Sequence, residues 1–299
     1  MNYDEFKDYV IVHLAEWFPN DYYEIAIRKV VKNNGLVLDG LCIFQRGSCA
    51  APTLYLESYY EQYKSGCIMA EILASIEREY RKSEQRAVIL EEPDFHYETI
   101  REHIVLRLVN YDKNSEILKD CPYLKFHDLA ITFRWLAHQD DIGISTSLIS
   151  LREMERWQIT VEQLYEDALR NTQRIFPSKI LQLHEMVTDY GVTAKKGYFD
   201  LYVLSNEQGI NGATCILYEG LLQSFAKEKD SSFYLLPSSI HEMMICLEEE
   251  VITEKMLLSL VRDANQMVVT MGEVLSDSIY YYSKRTGKLS VIKGGTSQS

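Results

Sequence analysis

The chain has 299 residues, of which 46% are hydrophobic and 25% are charged, so its composition is that of a folded globular protein and not of a disordered one. Its formal net charge of −13 argues against general nucleic-acid binding, because contacts to phosphate need a basic surface. No apolar run reaches about eighteen residues, and the N-terminus carries acids within an amphipathic pattern, so neither a membrane span nor a signal peptide is expected.

The N-terminal part is predicted to consist of helices and a β-hairpin. Asn33-Asn34-Gly35 suits the positive φ angles of a tight turn. The residues that recur at helical spacing near the N-terminus are Phe6, Tyr9, Val10, His13, Leu14 and Trp17. The predicted elements are helix 2–18, strands 23–32, 36–45 and 51–56, and helices 57–64 and 68–81.

The middle of the chain is predicted to be rich in β-strands and then helical. Thr160 is suited to cap a helix, because Glu162 and Gln163 would lie in its first turn. The predicted elements are helix 94–101, strands 103–110, 124–135 and 142–147, and helices 148–156, 160–172 and 178–190, the last opened by Pro177.

The C-terminal part again mixes strands and helices. Its predicted elements are strands 199–204, 213–217 and 233–236, helices 218–229 and 253–269, a strand or mixed segment 241–248, and a hairpin of 278–283 with 288–292. Thr286-Gly287 provides the turn of that hairpin, and residues 294–299 are predicted to be a disordered tail.

These elements predict an α+β fold with mixed, mainly antiparallel sheets and packed helices, because adjacent hairpins imply antiparallel pairing. We expect two subdomains that share an interface, divided either near residue 90 or between residues 148 and 195. Their parts are an N-terminal one of helices and a hairpin over 1–90, a central β-rich and then helical segment over 91–195, and a C-terminal α+β one over 196–293.

The six cysteines indicate neither a metal site nor a disulfide framework. They lack C-x-x-C spacing, and a chain of this length has its own hydrophobic core, so we expect reduced thiols in the cytoplasm. The pairs His184-Glu185 and His241-Glu242 each begin an HExxH frame, but the second histidine is missing from both. We therefore expect no bound metal and, without a GxGxxG or phosphate-loop motif, no cofactor.

Reactive side chains are concentrated in the segment SSFYLLPSSIHEMMICL, residues 231–247. The candidate catalytic residues are Ser238, Ser239, His241 and Glu242, joined by the candidate binding residues Asn206 and Asn211 of the loop NEQGING. Side chains this close in sequence rarely reach triad geometry, and no GxSxG elbow is present. The alternative interpretation is that a serine after Pro237 caps a turn.

Tyrosine is unusually frequent, with 21 residues, and Tyr59, Tyr60 and Tyr63 lie together in PTLYLESYYEQY. Tyrosine offers a large contact area with a polar tip, which suits a recognition surface. Helical spacing places Tyr59 and Tyr63 on one face and Tyr60 on another, so we expect at least one of them to be exposed. Half-buried packing positions are the alternative interpretation.

Four stretches, VVKNNGLVLDGLCIF, PTLYLESYYEQYKSG, NGATCILYEGLL and FYLLPSSIHEMMI, resemble the bacterial family known as domain of unknown function 5688, common in gut Firmicutes and often encoded near mobile elements. The resemblance spans nearly the whole chain, and the half from about Thr160 is distantly similar to the family numbered 1444. Neither resemblance implies an activity, a cofactor or a catalytic residue, but the association with mobile elements implies an accessory or host-interaction role.

The leading hypothesis is a non-enzymatic cytoplasmic module that binds another protein through exposed tyrosines and acidic residues, without direct nucleic-acid or membrane contact. One alternative is a hydrolase-like enzyme for a small molecule, with its site around His241 and Glu242. A second is an acidic decoy that inhibits a nucleic-acid-binding protein.

Overall fold

A computed structural model of the chain describes residues 1–46, 52–87, 96–140, 143–183 and 200–294. These residues fall into two compact units. Unit 1 comprises Met1–Lys32 and Leu36–Phe95, and unit 2 comprises Asn33–Gly35 and His96–Ser299. Every strand pairing between described residues is antiparallel, and helices occur in both units, so the predicted α+β fold is confirmed.

Unit 1 is a three-stranded sheet packed with three helices. Its elements are α1 Tyr3–Leu14, β1 Tyr23–Val31, β2 Val37–Gln45, β3 Thr53–Tyr55, α2 Leu56–Lys64 and α3 Met69–Ala87. Asn2 and Glu5 form the capping box that starts α1. Of the residues at helical spacing, Phe6, Val10 and Leu14 are buried and join a core with apolar residues of β2, α2 and α3. Tyr9 and His13 are half-buried, and Trp17, beyond the end of α1, is 41% exposed.

A buried carboxylate links α1 to the hairpin of unit 1. Asp39 on β2 is only 2% exposed, and its two oxygens lie 2.8 Å from Lys29 Nζ and 3.3 Å from Lys7 Nζ. Burial alone would raise the pKa of the Asp39 carboxyl, but the hydrogen bonds from Lys29 and Lys7 outweigh burial and lower its pKa. A carboxyl with a lowered pKa stabilises the fold above its unfolded pKa of about 3.9, and this stability is lost as the pH falls through the folded-state pKa.

We therefore expect Asp39→Asn to lower the free energy of unfolding by about 2 kcal/mol at pH 7 and by much less near pH 2. The cost stays below that of a fully buried pair because Lys29 is largely exposed. Urea unfolding of wild type and variant at both pH values measures the difference. Asp4→Asn, which removes an exposed carboxylate paired with Lys7, is the control; an Asp39→Asn cost that does not change with pH would contradict the assignment.

The first half of unit 2 contains a four-stranded sheet. Its elements are α4 Tyr97–Ile100, β4 Ile104–Asn110, β5 Tyr123–Phe126, β6 Leu129–Asp140, β7 Gly143–Leu148, α5 Leu151–Trp157 and α6 Val161–Ile175. The long strand β6 pairs with β4 on one side and with β5 and then β7 on the other. Thr160 caps α6 as predicted, together with Gln163.

The second half of unit 2 contains a six-stranded sheet in the order β13-β12-β10-β11-β9-β8. Its elements are β8 Ser178–Gln182, β9 Leu201–Asn206, α7 Leu221–Glu228, β10 Phe233–Pro237, β11 Met243–Leu247, α8 Glu254–Met267, β12 Ile279–Ser283 and β13 Lys288–Ile292. Gly287 has φ 65° in the turn between β12 and β13, as the Thr-Gly pair predicts.

Three predictions for local structure were wrong. Residues 178–182 form the edge strand β8 and not a helix, because they pair with β9 and the carbonyl of Pro177 accepts the Glu207 N–H. Residues 184–190 of that predicted helix, which include the His184-Glu185 frame, lie outside the described residues. Residues 212–217 form a 3₁₀ helix and not a strand. The predicted strand 124–135 is two strands, since His127 turns the chain with φ 56°.

Within the described part of the chain, no helix combines the length and the apolar character needed to cross a membrane.

Candidate functional site

The structure brings the loop Asn206–Gly212 against the turn Ser238–Glu242, both in unit 2. The Asn206 side chain shapes the loop: its Nδ2 donates to the Ile210 carbonyl at 2.8 Å, and its Oδ1 accepts the Ile210 N–H at 3.2 Å. Asn211 has φ 53°, and its N–H donates to His241 Nδ1 at 3.1 Å. Asn211 therefore contacts His241, whereas the buried Asn206 acts on its own loop.

The loop and the turn approach each other closely at Gly212. A Cβ atom added there would lie 2.5 Å from the His241 carbonyl and 2.8 Å from the Asn206 nitrogen, and would also meet Ser205 Oγ. Ser205 Oγ itself donates to the His241 carbonyl at 2.8 Å. Only glycine fits this position, so its role is close packing of two backbone segments.

The His241 ring is hydrogen-bonded through Nδ1, and a carboxylate lies near its other nitrogen. Because Nδ1 accepts the Asn211 N–H, the neutral ring carries its proton on Nε2, which lies 3.6 Å from Glu273 Oε1. The backbone supports this arrangement, since the Ile240 N–H donates to the Glu273 carbonyl at 2.9 Å. Sequence reasoning missed Glu273, because no local pattern connects it with His241.

The two serines of the turn serve its structure. Ser238 Oγ donates to Glu242 Oε1 at 2.9 Å, and Ser239 Oγ accepts the His241 backbone N–H at 3.0 Å. Among the described residues, neither hydroxyl bonds to the His241 ring. A nucleophile–base pair needs that contact, so the geometry supports the capped-turn interpretation of Ser238 and Ser239 over the catalytic one.

An apolar groove opens beside this turn, between α8 and strands β9, β10 and β11, with a volume of about 280 Å³. Of the residues that line it, only Ser238 at the end of the turn carries a hydroxyl. The apolar groove is lined by Leu201, Leu236, Pro237, Ser238, Met244, Cys246, Ile252, Met256, Leu257, Leu260, Val261 and Ala264.

Helix α8 is apolar on two sides. Leu257 and Val261 are buried against the six-stranded sheet. A second row, which we call the outer stripe, consists of Met256, Leu260, Ala264 and Met267, spaced at three and four residues. Met256 is 51% exposed, Leu260 56% and Met267 83%. The outer stripe continues the lining of the apolar groove onto the surface, and in the sequence the double row of apolar residues on one helix is the pattern that indicates it.

Acidic side chains flank the apolar groove. Glu248, Glu249, Glu250 and Glu254 are exposed on the segment that leads from β11 into α8, which also contributes the groove residue Ile252. Glu242 is half-buried and is held by Ser238 at another point of the lining. The acidic segment adjoins the groove through Ile252, and we call this segment the rim.

The tyrosines of α2 belong largely to the core of unit 1. Tyr59 is 3% exposed and donates to Glu79, and burial together with this bond raises the pKa of Tyr59. This burial removes Tyr59 from any binding surface. Tyr60 and Tyr63 are half-buried: the Tyr60 ring packs 4.9 Å from Tyr3 between ring centres, and Tyr63 Oη accepts from the N-terminal amine at 2.8 Å. Tyr60 and Tyr63 therefore occupy half-buried packing positions, which was the alternative interpretation of the tyrosine cluster.

In the described ranges, no three side chains of His, Cys, Asp or Glu come together as a group that could hold a metal ion. Five cysteines in these ranges, namely Cys42, Cys67, Cys121, Cys215 and Cys246, are free thiols. Burial raises the pKa of Cys246, in the floor of the groove, to about 11, so its thiol is protonated at neutral pH.

A family model matches residues 3–284, almost the entire chain, and its description is a family of unknown function, DUF5688. The chain belongs to the DUF5688 family. Neither a curated protein nor a solved structure matches it. Family membership confirms the resemblance carried by the four sequence stretches, and any function for this DUF5688 protein has to be argued from its own surfaces.

Proposed function

We propose that this DUF5688 protein is a non-enzymatic cytoplasmic binding module, whose partner presents a basic amphipathic helix to the apolar groove and the outer stripe. The observation that carries the proposal is the continuity of the groove with exposed Met256, Leu260 and Met267. The free thiols of the described cysteines fit a reducing compartment.

The apolar character of the surface supports a helix as the occupant. Contiguous exposed apolar patches are uncommon on proteins that act alone, and an amphipathic helix inserts side chains at i, i+3, i+4 and i+7 into such a groove. Met244 and Met256 provide flexible, polarisable side chains that adapt to the shape of a partner. The proposed binding surface is therefore on α8, and not at the tyrosines of unit 1 where we first expected it.

The charge of the rim supports a basic partner. Glu248, Glu249, Glu250 and Glu254 would face the polar side of a helix bound along α8, and complementary charge raises association rates and excludes acidic competitors. The excess of acids over bases in the whole chain acts in the same direction.

The experiment is a titration of a fluorescent peptide of about 18 residues, with leucine and lysine in helical period, followed by anisotropy. We expect a Kd near the micromolar range, and binding weaker by about tenfold or more for a scrambled peptide and for a leucine–glutamate helix.

Equal binding of the scrambled and helical peptides would replace this proposal by the acidic-decoy hypothesis, because charge alone would then suffice. Failure of the basic helix to bind would refute the helix-docking role. Light scattering at the same concentrations tests a second copy of the chain as the occupant, since a dimer that the peptide cannot dissociate would assign the outer stripe to self-association.

A further inference from the structure

Two arginines lie next to each other on one face of the four-stranded sheet. In the register of β4 and β6, Val105 is opposite Arg134 and Arg107 is opposite Thr132. Arg107 and Arg134 are therefore diagonal neighbours, and side chains two residues apart along a strand point to the same face. Both side chains are half-buried, so part of each still reaches solvent.

Arg134 is held in a fixed position by β7. Its Nε donates to Thr146 Oγ1 at 2.7 Å, and its Nη2 donates to the Thr146 carbonyl at 3.2 Å. A guanidinium group has five N–H donors, so these two bonds orient Arg134 and leave other donors for a further acceptor.

Among the residues that the structure describes, Arg107 has no contacting anion. Its Nε is buried and has no hydrogen-bond partner among the described residues. Among the described residues, no carboxylate lies within ion-pair distance of Arg107 or Arg134. This absence is notable because acidic residues outnumber basic ones in the chain, 44 to 31. Glu273 attracts Arg107 only from a longer distance. Burying a charge without a partner is costly, so this arrangement calls for a counter-ion.

The electrostatics agree with this geometry. Burial, reinforced by the positive charge of Arg134, lowers the pKa of Arg107 to about 10, and burial also lowers the pKa of Arg134. Both groups remain charged at neutral pH, and their mutual repulsion would be relieved by an anion placed between them.

We propose that Arg107 and Arg134 form a binding site for a phosphate group, either free phosphate or the phosphate of a small phosphorylated molecule. A phosphate group carries a charge of about −1.5 to −2 at neutral pH, enough to neutralise both guanidinium groups, and its oxygens match their paired N–H donors. A carboxylate, with a single charge, would leave one of the two cations uncompensated.

Calorimetric titration with inorganic phosphate, at constant ionic strength in chloride, tests the site. We expect saturable one-to-one binding to the wild type, and affinity lower by about tenfold or more in Arg107→Lys, which keeps the charge but loses the paired donors. Arg107→Met should abolish binding. Arg170→Gln, which removes an exposed arginine paired with Asp167, is the control and should bind like the wild type.

Thermal unfolding separates binding from folding. Without phosphate, Arg107→Met should melt at or above the wild-type temperature, because it removes an uncompensated charge. Phosphate should raise the melting temperature of the wild type and of Arg170→Gln, should raise that of Arg107→Lys less, and should leave that of Arg107→Met unchanged. Tighter binding of glycerol phosphate than of phosphate would assign the site to a phosphorylated molecule, and equal binding to the free ion. No phosphate binding by the wild type, or equal binding by Arg107→Met and Arg107→Lys, would overturn the proposal.

Discussion

Leu260→Asp should weaken binding of the leucine–lysine helix by about 30- to 150-fold, which corresponds to about 2–3 kcal/mol. Leu260 lies in the middle of the outer stripe and also lines the apolar groove, so a bound helix would cover it completely. The carboxylate would lose hydration in that contact without gaining a partner. The fold should survive, because Leu260 is exposed in the free protein.

Peptide anisotropy measures the change in affinity, and circular dichroism checks the fold. The matched control is Val12→Asp, which introduces the same charge at an exposed apolar position of α1, outside the groove, and should bind the peptide like the wild type. Equal losses in both variants would show that the added charge disturbs the protein generally. An unchanged affinity in Leu260→Asp would remove α8 from the binding surface.

Gly212→Ala should lower the free energy of unfolding by about 3 kcal/mol, because overpacking against backbone cannot be relieved by rotating a side chain. The new Cβ would lie 2.5 Å from the His241 carbonyl and 2.8 Å from the Asn206 nitrogen. The loop must then separate from the turn, which also weakens the bond between Ser205 and His241.

Urea unfolding followed by circular dichroism measures this loss. Gly209→Ala in the same loop is the control, because Gly209 has φ 66° but open space around it. Alanine there should lower the free energy of unfolding by about 1–2 kcal/mol, which is only the cost of holding a non-glycine residue in the left-handed conformation. If Gly212→Ala proves no more destabilising than Gly209→Ala, close packing of the loop on the turn is not what requires glycine at position 212.

Much of the local structure of this protein could be predicted from short stretches of sequence. Asn33-Asn34-Gly35 and Thr286-Gly287 mark real turns, and Thr160 caps α6, because turns and caps depend on residues a few positions apart. The segment 213–217 misled the prediction, since a short buried apolar run fits a strand or a helix equally well. In the fold, Thr214 of this segment accepts the Leu108 N–H at the edge of β4.

The candidate sites, too, could be predicted in part from the sequence and depend in part on the fold. The loop with Asn211 and the turn with His241 could be identified from the sequence, but not Glu273 as the neighbour of the ring. The tyrosine cluster is visible in the sequence, yet the packing of α2 decides that Tyr59 is buried.

The α+β class, the cap of α6, the turns at Asn33-Asn34-Gly35 and Thr286-Gly287, and the family could be predicted without the structure, because each depends on local pattern or on the chain as a whole. The three-dimensional fold was needed to show that Arg107 lies beside Arg134 with no acid in contact among the described residues, and that Met256, Leu260 and Met267 of the outer stripe are exposed. Such juxtapositions depend on strand register and on which helix face meets the sheet, and these are set by partners far away in the sequence.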